Sequence, residues 1–281
     1  MMRGVTVVDS PHNPRIQAAA ALRDRKDRIA SGLTLVDGAR ECRRAIDAGV
    51  AVESAFSCAS LLRSEDALAA IAALHARGIP TVEVTERAFT KLAFGDRADG
   101  LILVVRAPIA GLEDLRLGVD PLVLVTEEVE KPGNLGAILR TADAAGCEAV
   151  IAIGGTDLFN PNVIRASVGT AFTVPLAAAT ADEAIAWLRV NGLRIVAARV
   201  DAALEYSAAD LRGPLAIALG SEAAGLSAAW QSLDIEAVRL PMLGVADSLN
   251  VSATAAILAF EARRQRTAGR LPIPEAAWAV R

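Results

Sequence analysis

Short apolar runs alternate with amphipathic stretches along most of this chain of 281 residues, a pattern typical of α/β proteins. In the amino-terminal part the pattern predicts a helix at residues 41–48, an Ala/Leu-rich helix that contains His75, and strands at residues 33–36, 80–84 and 101–105. Pro, Gly and charged residues between Ala107 and Asp120 then indicate a linker. We therefore predict a small α/β domain over residues 1–112 and a second domain over residues 113–281.

The second domain alternates more regularly. A strand at residues 122–125, a helix at 135–145 closed by Gly146 and a strand at 149–153 form a βαβ unit, which implies parallel pairing. Further strands are predicted at 194–198 and 215–219, and further helices at 182–190 and from about residue 250. The predicted fold class is α/β with a mostly parallel sheet, for which periodicity alone allows a doubly wound order.

Three segments rich in Gly, Asn, Ser and Glu follow apolar strands, at residues 129–146, 219–227 and 241–252. Because the carboxyl ends of parallel strands gather around a ligand, we expect these segments to converge. The third segment brings Asp247, Ser248, Asn250 and Ser252 to the start of a helix, where one capping side chain suffices. The additional polar side chains indicate a polar ligand at the positive end of that helix, although a capped loop explains the same residues.

The three segments read Asn-x-Gly-x-x-x-Arg, Gly-x-Glu-x-x-Gly, and Pro-x-x-Gly followed by Ser-Leu-Asn-Val-Ser. In these motifs, their order and their spacing, the chain resembles the SpoU/TrmH-type RNA ribose 2′-O-methyltransferases of the SPOUT superfamily. One departure is visible. Many relatives carry an acidic residue directly before the proline of the first motif, whereas here Lys131 stands there and Glu130 precedes it.

The resemblance implies a SPOUT-type α/β knot, in which the end of the catalytic domain is threaded as a trefoil, and an amino-terminal α/β module that binds the RNA substrate. It implies S-adenosylmethionine as the cofactor and a homodimer formed through the catalytic domain. The cofactor-binding residues it implies are Leu219, Gly220, Leu240, Ser248 and Leu249. From the residues alone, Gly220 and Gly225 either let the backbone approach a ligand closely or only form turns.

Methyl transfer to a ribose 2′-hydroxyl requires the hydroxyl to lose its proton as it attacks the methyl group. The resemblance makes Arg140 the chief catalytic residue and an RNA contact. A guanidinium is essentially always protonated, so we favour electrostatic stabilisation and bidentate phosphate positioning by Arg140 over proton abstraction. A phosphate of the substrate is a candidate proton acceptor.

Three further residues are candidates for the catalytic site. Asn134 is expected to cap the helix that carries Arg140 and also to be able to orient the substrate. Glu222 is expected to be buried and ionised, and to hold Asn134 or Arg140 in place. Asn250 is expected to touch substrate or cofactor. Arg165 is either an RNA contact or part of a surface salt bridge.

Composition narrows the remaining choices. Cys42, Cys58 and Cys147 lack Cys-x-x-Cys pairing and the only histidines are His12 and His75, which disfavours a metal site or a disulfide framework. No apolar run is long enough for a membrane span and no secretory signal is evident, so we expect a cytoplasmic protein.

The formal net charge of −4 argues weakly against nucleic-acid binding, but phosphate contacts depend on local patches. Two basic runs, at residues 23–28 and 263–266, are such candidates, or else solvated helix faces. By the resemblance, the extra amino-terminal domain favours 23S ribosomal RNA as the substrate, with transfer RNA as the alternative. A catalytically inactive RNA-binding or ribosome-assembly protein is the alternative from another class, while an oxidoreductase would need a phosphate fingerprint that the sequence lacks.

Overall fold

The computed structural model describes residues 7–93, 99–108, 110–155 and 157–268 and contains two β-sheets with helices packed on them. The amino-terminal region contains α1 Pro14–Ala21, α2 Arg25–Ser31, β1 Leu33–Asp37, α3 Ala39–Asp47, β2 Val52–Ser57, α4 Glu65–Ala76, β3 Thr81–Glu83, α5 Glu86–Leu92 and β4 Leu101–Arg106. The carboxy-terminal region contains β5 Leu122–Glu127, α6 Pro132–Ala145, β6 Ala149–Ile153, α7 Pro161–Ala166, β7 Leu176–Ala179, α8 Ala181–Val190, β8 Arg194–Ala198, β9 Leu204–Glu205, β10 Leu215–Leu219, β11 Ile235–Arg239 and α9 Val251–Thr267.

The amino-terminal sheet has four strands in the order β1-β4-β2-β3. Strand β4 is antiparallel to β1 and β2, and β2 is parallel to β3. Helices cover both of its faces, because buried residues of α1 and α5 pack on one face and those of α3 and α4 on the other. The sequence pattern did not predict β2, where Glu53, Ser54 and Ser57 interrupt the apolar run.

The carboxy-terminal sheet has seven strands in the order β7-β6-β5-β10-β8-β11-β9, and every pair is parallel. Central strands β5 and β10 are buried along their whole length, as expected for a sheet covered on both faces. Helices α6 and α9 pack on one face and α8 on the other. The predicted α/β fold with a mostly parallel sheet is therefore confirmed.

The strand order departs from a regular doubly wound sheet on one side of β5. There β10 lies between β5 and β8, although it follows β8 in the chain. The chain leaves β8 for the edge strand β9, returns to the centre as β10 and then places β11 between β8 and β9. Helix α9 finally comes back to pack against α6, so the last element lies beside the first helix of this region.

The two regions share a packed interface formed by α7, its flanking loops and the amino-terminal sheet. Ile164 of α7 is fully buried in the amino-terminal core beside Cys42 and Ile46. Thr34 Oγ1 of β1 donates a hydrogen bond to the Phe159 carbonyl over 2.6 Å. Within the described part of the chain, no helix is long and apolar enough to cross a membrane.

Candidate active site

The loops after β5, β10 and β11 meet at the carboxyl edge of the seven-stranded sheet and bring the three motifs together. Asn134 Nδ2 donates to Glu222 Oε1 over 2.8 Å, and Asn250 Nδ2 donates to the same oxygen over 2.6 Å. Asn250 Nδ2 also lies 3.2 Å from Asn134 Oδ1. Side chains separated by 116 residues in the chain are therefore direct neighbours.

Lys131 completes this group, which we call the carboxylate cluster: Lys131, Asn134, Glu222 and Asn250. Its Nζ lies 2.5 Å from Glu222 Oε2. The hydrogen bond from Lys131 lowers the pKa of the Glu222 carboxyl, and the same bond raises the pKa of Lys131. In the sequence Lys131 stood out only as a departure from the family pattern, whereas in the structure it forms the ion pair with Glu222.

One expectation for Glu222 needs correction. Its side chain is 30% exposed, so Glu222 is not buried, and hydrogen bonds from Lys131 and Asn134 lower its pKa and keep it ionised. It holds Asn134, Lys131 and Asn250, whereas no hydrogen bond joins it to Arg140. The carboxylate thus organises the loops around it.

The predicted capping role of Asn134 is wrong. Helix α6 begins at Pro132, three residues earlier than the pattern predicted, and its N-cap Lys131 makes no side-chain cap. Proline suits this first position because its missing N–H would have had no helical partner. Asn134 therefore lies inside the first turn, and its amide is available to Glu222. The helix-capping asparagine is instead Asn250, whose Oδ1 accepts from the Ser252 N–H over 2.9 Å.

Arg140 follows Asn134 along α6 and is exposed. Among the described residues it has no hydrogen-bond or ion-pair partner, so its guanidinium is available to an incoming ligand. The structure does not bring Arg140 into the carboxylate cluster. Arg165 lies on α7, half-buried, in the helix that packs against α6.

Gly136, the glycine of the first motif, has a packing role that the sequence did not reveal. A Cβ atom there would lie 2.5 Å from Ala166 Cβ and 2.9 Å from the Ser167 nitrogen. Only glycine allows α6 and α7 to approach this closely. Because α7 also contacts the amino-terminal sheet, this contact connects the helix of Arg140 to the other region.

A cavity of about 830 Å³ opens beside the cluster, between the loops that follow β8, β10 and β11. All five residues predicted to bind the cofactor lie on its wall: Leu219, Gly220, Leu240, Ser248 and Leu249. Glu222 belongs to the same wall, so the cavity and the carboxylate cluster form one site. Leu226, Val238 and Leu240 give the cavity apolar surface, while Asp247 and Ser248 add polar groups.

Gly220 is required by its own loop. A Cβ atom at this position would lie 2.1 Å from the Gly225 carbonyl carbon and 2.3 Å from the Leu226 nitrogen. The loop closes through two backbone hydrogen bonds between Ser221 and Gly225, of 3.2 and 3.0 Å. Gly220 therefore forms a tight turn and, at the same time, presents bare backbone to the cavity.

Glu127, at the end of β5, is a buried acid that the sequence analysis missed. Its carboxylate accepts the Ser227 N–H over 2.7 Å and the Ser227 hydroxyl over 2.8 Å. These bonds join the first motif's strand to the loop that carries Glu222. Its position at the end of an apolar strand was the only signal in the sequence.

The carboxy-terminal basic run is largely structural. Arg264 pairs with Glu261 at 2.7 Å. The Arg266 side chain is 7% exposed and donates to the Asp120 carbonyl over 2.8 Å. This part of the predicted phosphate-binding surface is thus occupied by contacts within the protein. The described residues contain no group of three or more His, Cys, Asp or Glu side chains that could hold a metal ion.

The SpoU rRNA methylase family model matches residues 121–260, and a model of an MRM3-like substrate-binding domain matches residues 13–103. A 23S rRNA (uridine(2479)-2′-O)-methyltransferase from Streptomyces viridochromogenes is 30% identical over 269 residues, covering 92% of each chain.

Solved structures agree. A crystal structure of an RNA 2′-O ribose methyltransferase is 44% identical and superposes with a TM-score of 0.81, covering 92% of this chain and 99% of the other. An AdoMet-bound rRNA methyltransferase from Sinorhizobium meliloti is 29% identical with a TM-score of 0.83, covering 92% and 97%. The predicted class, an S-adenosylmethionine-dependent RNA ribose 2′-O-methyltransferase, is thereby confirmed. The chain belongs to the SpoU rRNA methylase family.

Proposed function

We propose that this enzyme methylates a ribose 2′-hydroxyl of 23S ribosomal RNA. The observation that carries the proposal is the shared wall of the cavity and the carboxylate cluster, where Glu222 belongs to both. Relatives named 23S rRNA 2′-O-methyltransferases and the match to an MRM3-like substrate-binding domain support ribosomal RNA as the substrate. An enzyme with this substrate would work in the cytoplasm.

The cavity fits S-adenosylmethionine in the chemistry of its wall. Apolar side chains at Leu219, Leu240 and Leu249 suit the flat adenine ring, and the backbone at Gly220 leaves room for close approach. Ser248 adds a hydroxyl. When bound, the cofactor supplies the activated methyl group.

The residues of the chain would then position the acceptor and stabilise its charge. Asn134 and Asn250, fixed by the Glu222 carboxylate, are placed to orient the ribose. Arg140 would bind an RNA phosphate and stabilise the developing oxyanion, because its guanidinium is not engaged by any described residue. A substrate phosphate would accept the proton.

We further propose that residues 1–112 form an RNA substrate-binding domain and residues 113–281 a catalytic domain with a trefoil knot. The separate sheets and the inserted position of β10 between β5 and β8 support both parts. Arg165, on the helix between these regions, is a candidate RNA contact.

A homodimer formed beside the cofactor site is the proposed assembly. In α9, Ala255 and Ala259 are buried in the protein's own core, but Ala253 is exposed and Phe260 is 50% exposed. Leu243, in the segment between β11 and α9, is 99% exposed. These apolar side chains support a partner on this face.

Sedimentation at micromolar concentration tests the assembly, and a monomer mass would contradict it. Mixing Arg140→Ala subunits with Gly220→Ala subunits then asks whether the site is shared. Recovery of activity would show that Arg140 acts across the interface, and no recovery that each chain works alone.

The substrate is tested by supplying the purified protein with labelled S-adenosylmethionine and either ribosomal or transfer RNA from cells that lack it. We expect label at a ribose 2′-oxygen of 23S rRNA, located by mapping. Label in transfer RNA alone would favour the tRNA alternative. Absence of specific cofactor binding would favour an inactive RNA-binding protein.

A further inference from the structure

A second cavity, of about 470 Å³, lies between the two regions, and we call it the interdomain cleft. One wall comes from α2 and the start of β1. The other comes from the turn after β6 and the end of β7. The cleft therefore opens at the same carboxyl edge of the parallel sheet as the cofactor cavity, but its second wall belongs to the amino-terminal region. Its lining residues include Arg25, Ile29, Gly154, Gly155, Asp157 and Leu158.

One face of α2 gives this cleft its chemistry. Arg25, Arg28, Ile29 and Gly32 all line it, at the i, i+3, i+4, i+7 spacing of a single helix face. The acids of the same basic run, Asp24 and Asp27, are not among the lining residues. A run of mixed charge in the sequence thus becomes a cationic and apolar surface in the folded protein.

Arg28 and Arg25 have different roles on this face. The Arg28 guanidinium is 5% exposed and pairs with Asp157 at 2.7 Å, which neutralises a carboxylate on the cleft wall. Arg28 also donates to the Leu22 carbonyl over 2.8 Å. Arg25 is exposed and, within the described chain, forms no hydrogen bond or ion pair. Beside it, Ile29 is 69% exposed.

Gly155, which lines the cleft, contacts the loop that leads to the carboxylate cluster. The Gly155 N–H donates to Glu128 Oε2 over 3.1 Å, and a Cβ atom at Gly155 would lie 2.7 Å from the Val129 carbonyl oxygen. Glu128 has a φ of 51°, a conformation uncommon outside glycine. Three residues after Glu128 comes Lys131, the partner of Glu222. A ligand in the cleft would therefore contact the turn after β6, which packs against the loop that carries Lys131.

We propose that the interdomain cleft is an RNA subsite that takes an unpaired nucleobase near the methylated nucleotide, with Arg25 and the adjacent, exposed Lys26 contacting the flanking phosphates. A base offers flat apolar faces to Ile29 and Leu158. The phosphates of the RNA backbone offer a negatively charged partner to Arg25, which has none among the described residues. This inference rests on the proposed function, because it assigns part of the RNA to a second place on the same edge of the sheet.

Paired variants test the cleft in the full-length protein. Arg25→Ala and Ile29→Asp change it, whereas Arg63→Ala and Leu68→Asp are matched controls on the amino-terminal region. Arg63 is exposed beyond the opposite end of that sheet, and Leu68 is 56% exposed on α4. All four side chains are exposed, so folding should survive, and thermal unfolding checks this.

We expect each cleft variant to weaken binding of protein-free 23S rRNA about tenfold and to raise its KM, as loss of one stacked base or phosphate contact would. Cofactor affinity should stay unchanged, and the controls should match the wild type. A photo-crosslinking amino acid at position 29 should capture the RNA, while one at position 68 should not.

The outcomes separate the two proposals. If the wild type methylates no RNA, the proposed function fails first. If it does methylate 23S rRNA but the cleft variants bind and turn over this RNA like their controls, the cleft is not an RNA subsite. Crosslinking at position 29 to a protein in place of RNA would overturn the inference as well.

Discussion

The cofactor cavity and the interdomain cleft open at one edge of the same parallel sheet but are built differently. The cavity is enclosed by loops of the sheet itself, and hydrogen bonds among Asn134, Glu222 and Asn250 fix those loops. The cleft depends on a helix of another region, attached through Arg28 and Asp157. Substitutions in the cofactor cavity should therefore affect methyl transfer. Substitutions in the interdomain cleft should affect RNA binding and the packing between the two regions.

The largest effect is expected from Arg140→Ala. Removing a cation that stabilises transition-state charge should lower kcat about a thousandfold. Cofactor affinity and fold should be kept, because no described residue bonds to this side chain. Single-turnover methylation and calorimetric cofactor binding measure the two quantities. Arg140→Lys should also be poor, since one ammonium does not reproduce a planar two-point contact. Near-normal turnover in either variant would remove Arg140 from the mechanism.

Arg28→Met tests the joint between the regions. The side chain is buried, and its loss leaves the Asp157 carboxylate without its ion-pair partner, so the free energy of unfolding should fall by about 3 kcal/mol. Arg43→Met is the matched control, because Arg43 pairs with Asp47 at the surface and should cost less than about 1 kcal/mol. Denaturant unfolding measures both variants. Equal stability of the two would mean that the pair does not hold the regions together.

Gly220→Ala separates the cavity from the cleft. The added methyl group overlaps the Gly225 backbone, so the loop must open and cofactor affinity should fall at least about tenfold. RNA binding, which uses other surfaces, should change little. Gly244→Ala is the control, since no atom lies within 4 Å of its added carbon. Unchanged cofactor affinity in Gly220→Ala would show that this loop does not shape the binding site.

The smallest effect is expected from Lys131→Met. The pair that Lys131 forms with Glu222 contributes above the ordinary glutamate pKa of about 4.3 and below the ordinary lysine pKa of about 10.4. Because the folded pKa of Glu222 is lowered and that of Lys131 is raised, the contribution is lost only as pH falls below the first limit or rises beyond the second. Activity near neutral pH should therefore drop only a few-fold, about the value of an exposed pair.

The pH profile gives this variant a sharper readout. Without the Lys131 hydrogen bond the pKa of Glu222 should return toward its ordinary value, so the acid limb of kcat/KM should move to higher pH. Lys91→Met, which changes an exposed lysine on α5, should leave the limb in place. An unmoved limb in Lys131→Met would mean that Glu222 does not control it.

Prediction from sequence succeeded for strands whose own residues form a clear apolar run. Strands β5, β6 and β10 contain continuous apolar runs, and their bounds were predicted within about two residues. It failed at β7, which is Leu-Ala-Ala-Ala, and at β2, where Glu53, Ser54 and Ser57 interrupt the apolar run. These strands owe their state to the neighbours with which they pair, so their own residues predict them poorly.

The motifs fixed the class of enzyme and the residues of the cavity wall, because they record which groups the chemistry needs. They did not show which of those groups would contact one another or which other residues would support them. Lys131 meets Glu222 across 91 positions, Glu127 meets Ser227 across 100, and α2 meets Asp157 across 129. Hydropathy periodicity reports which face of an element is buried, but not beside which element it lies. The position of β10 between β5 and β8 and each of these contacts were decided only when the chain packed into its tertiary structure.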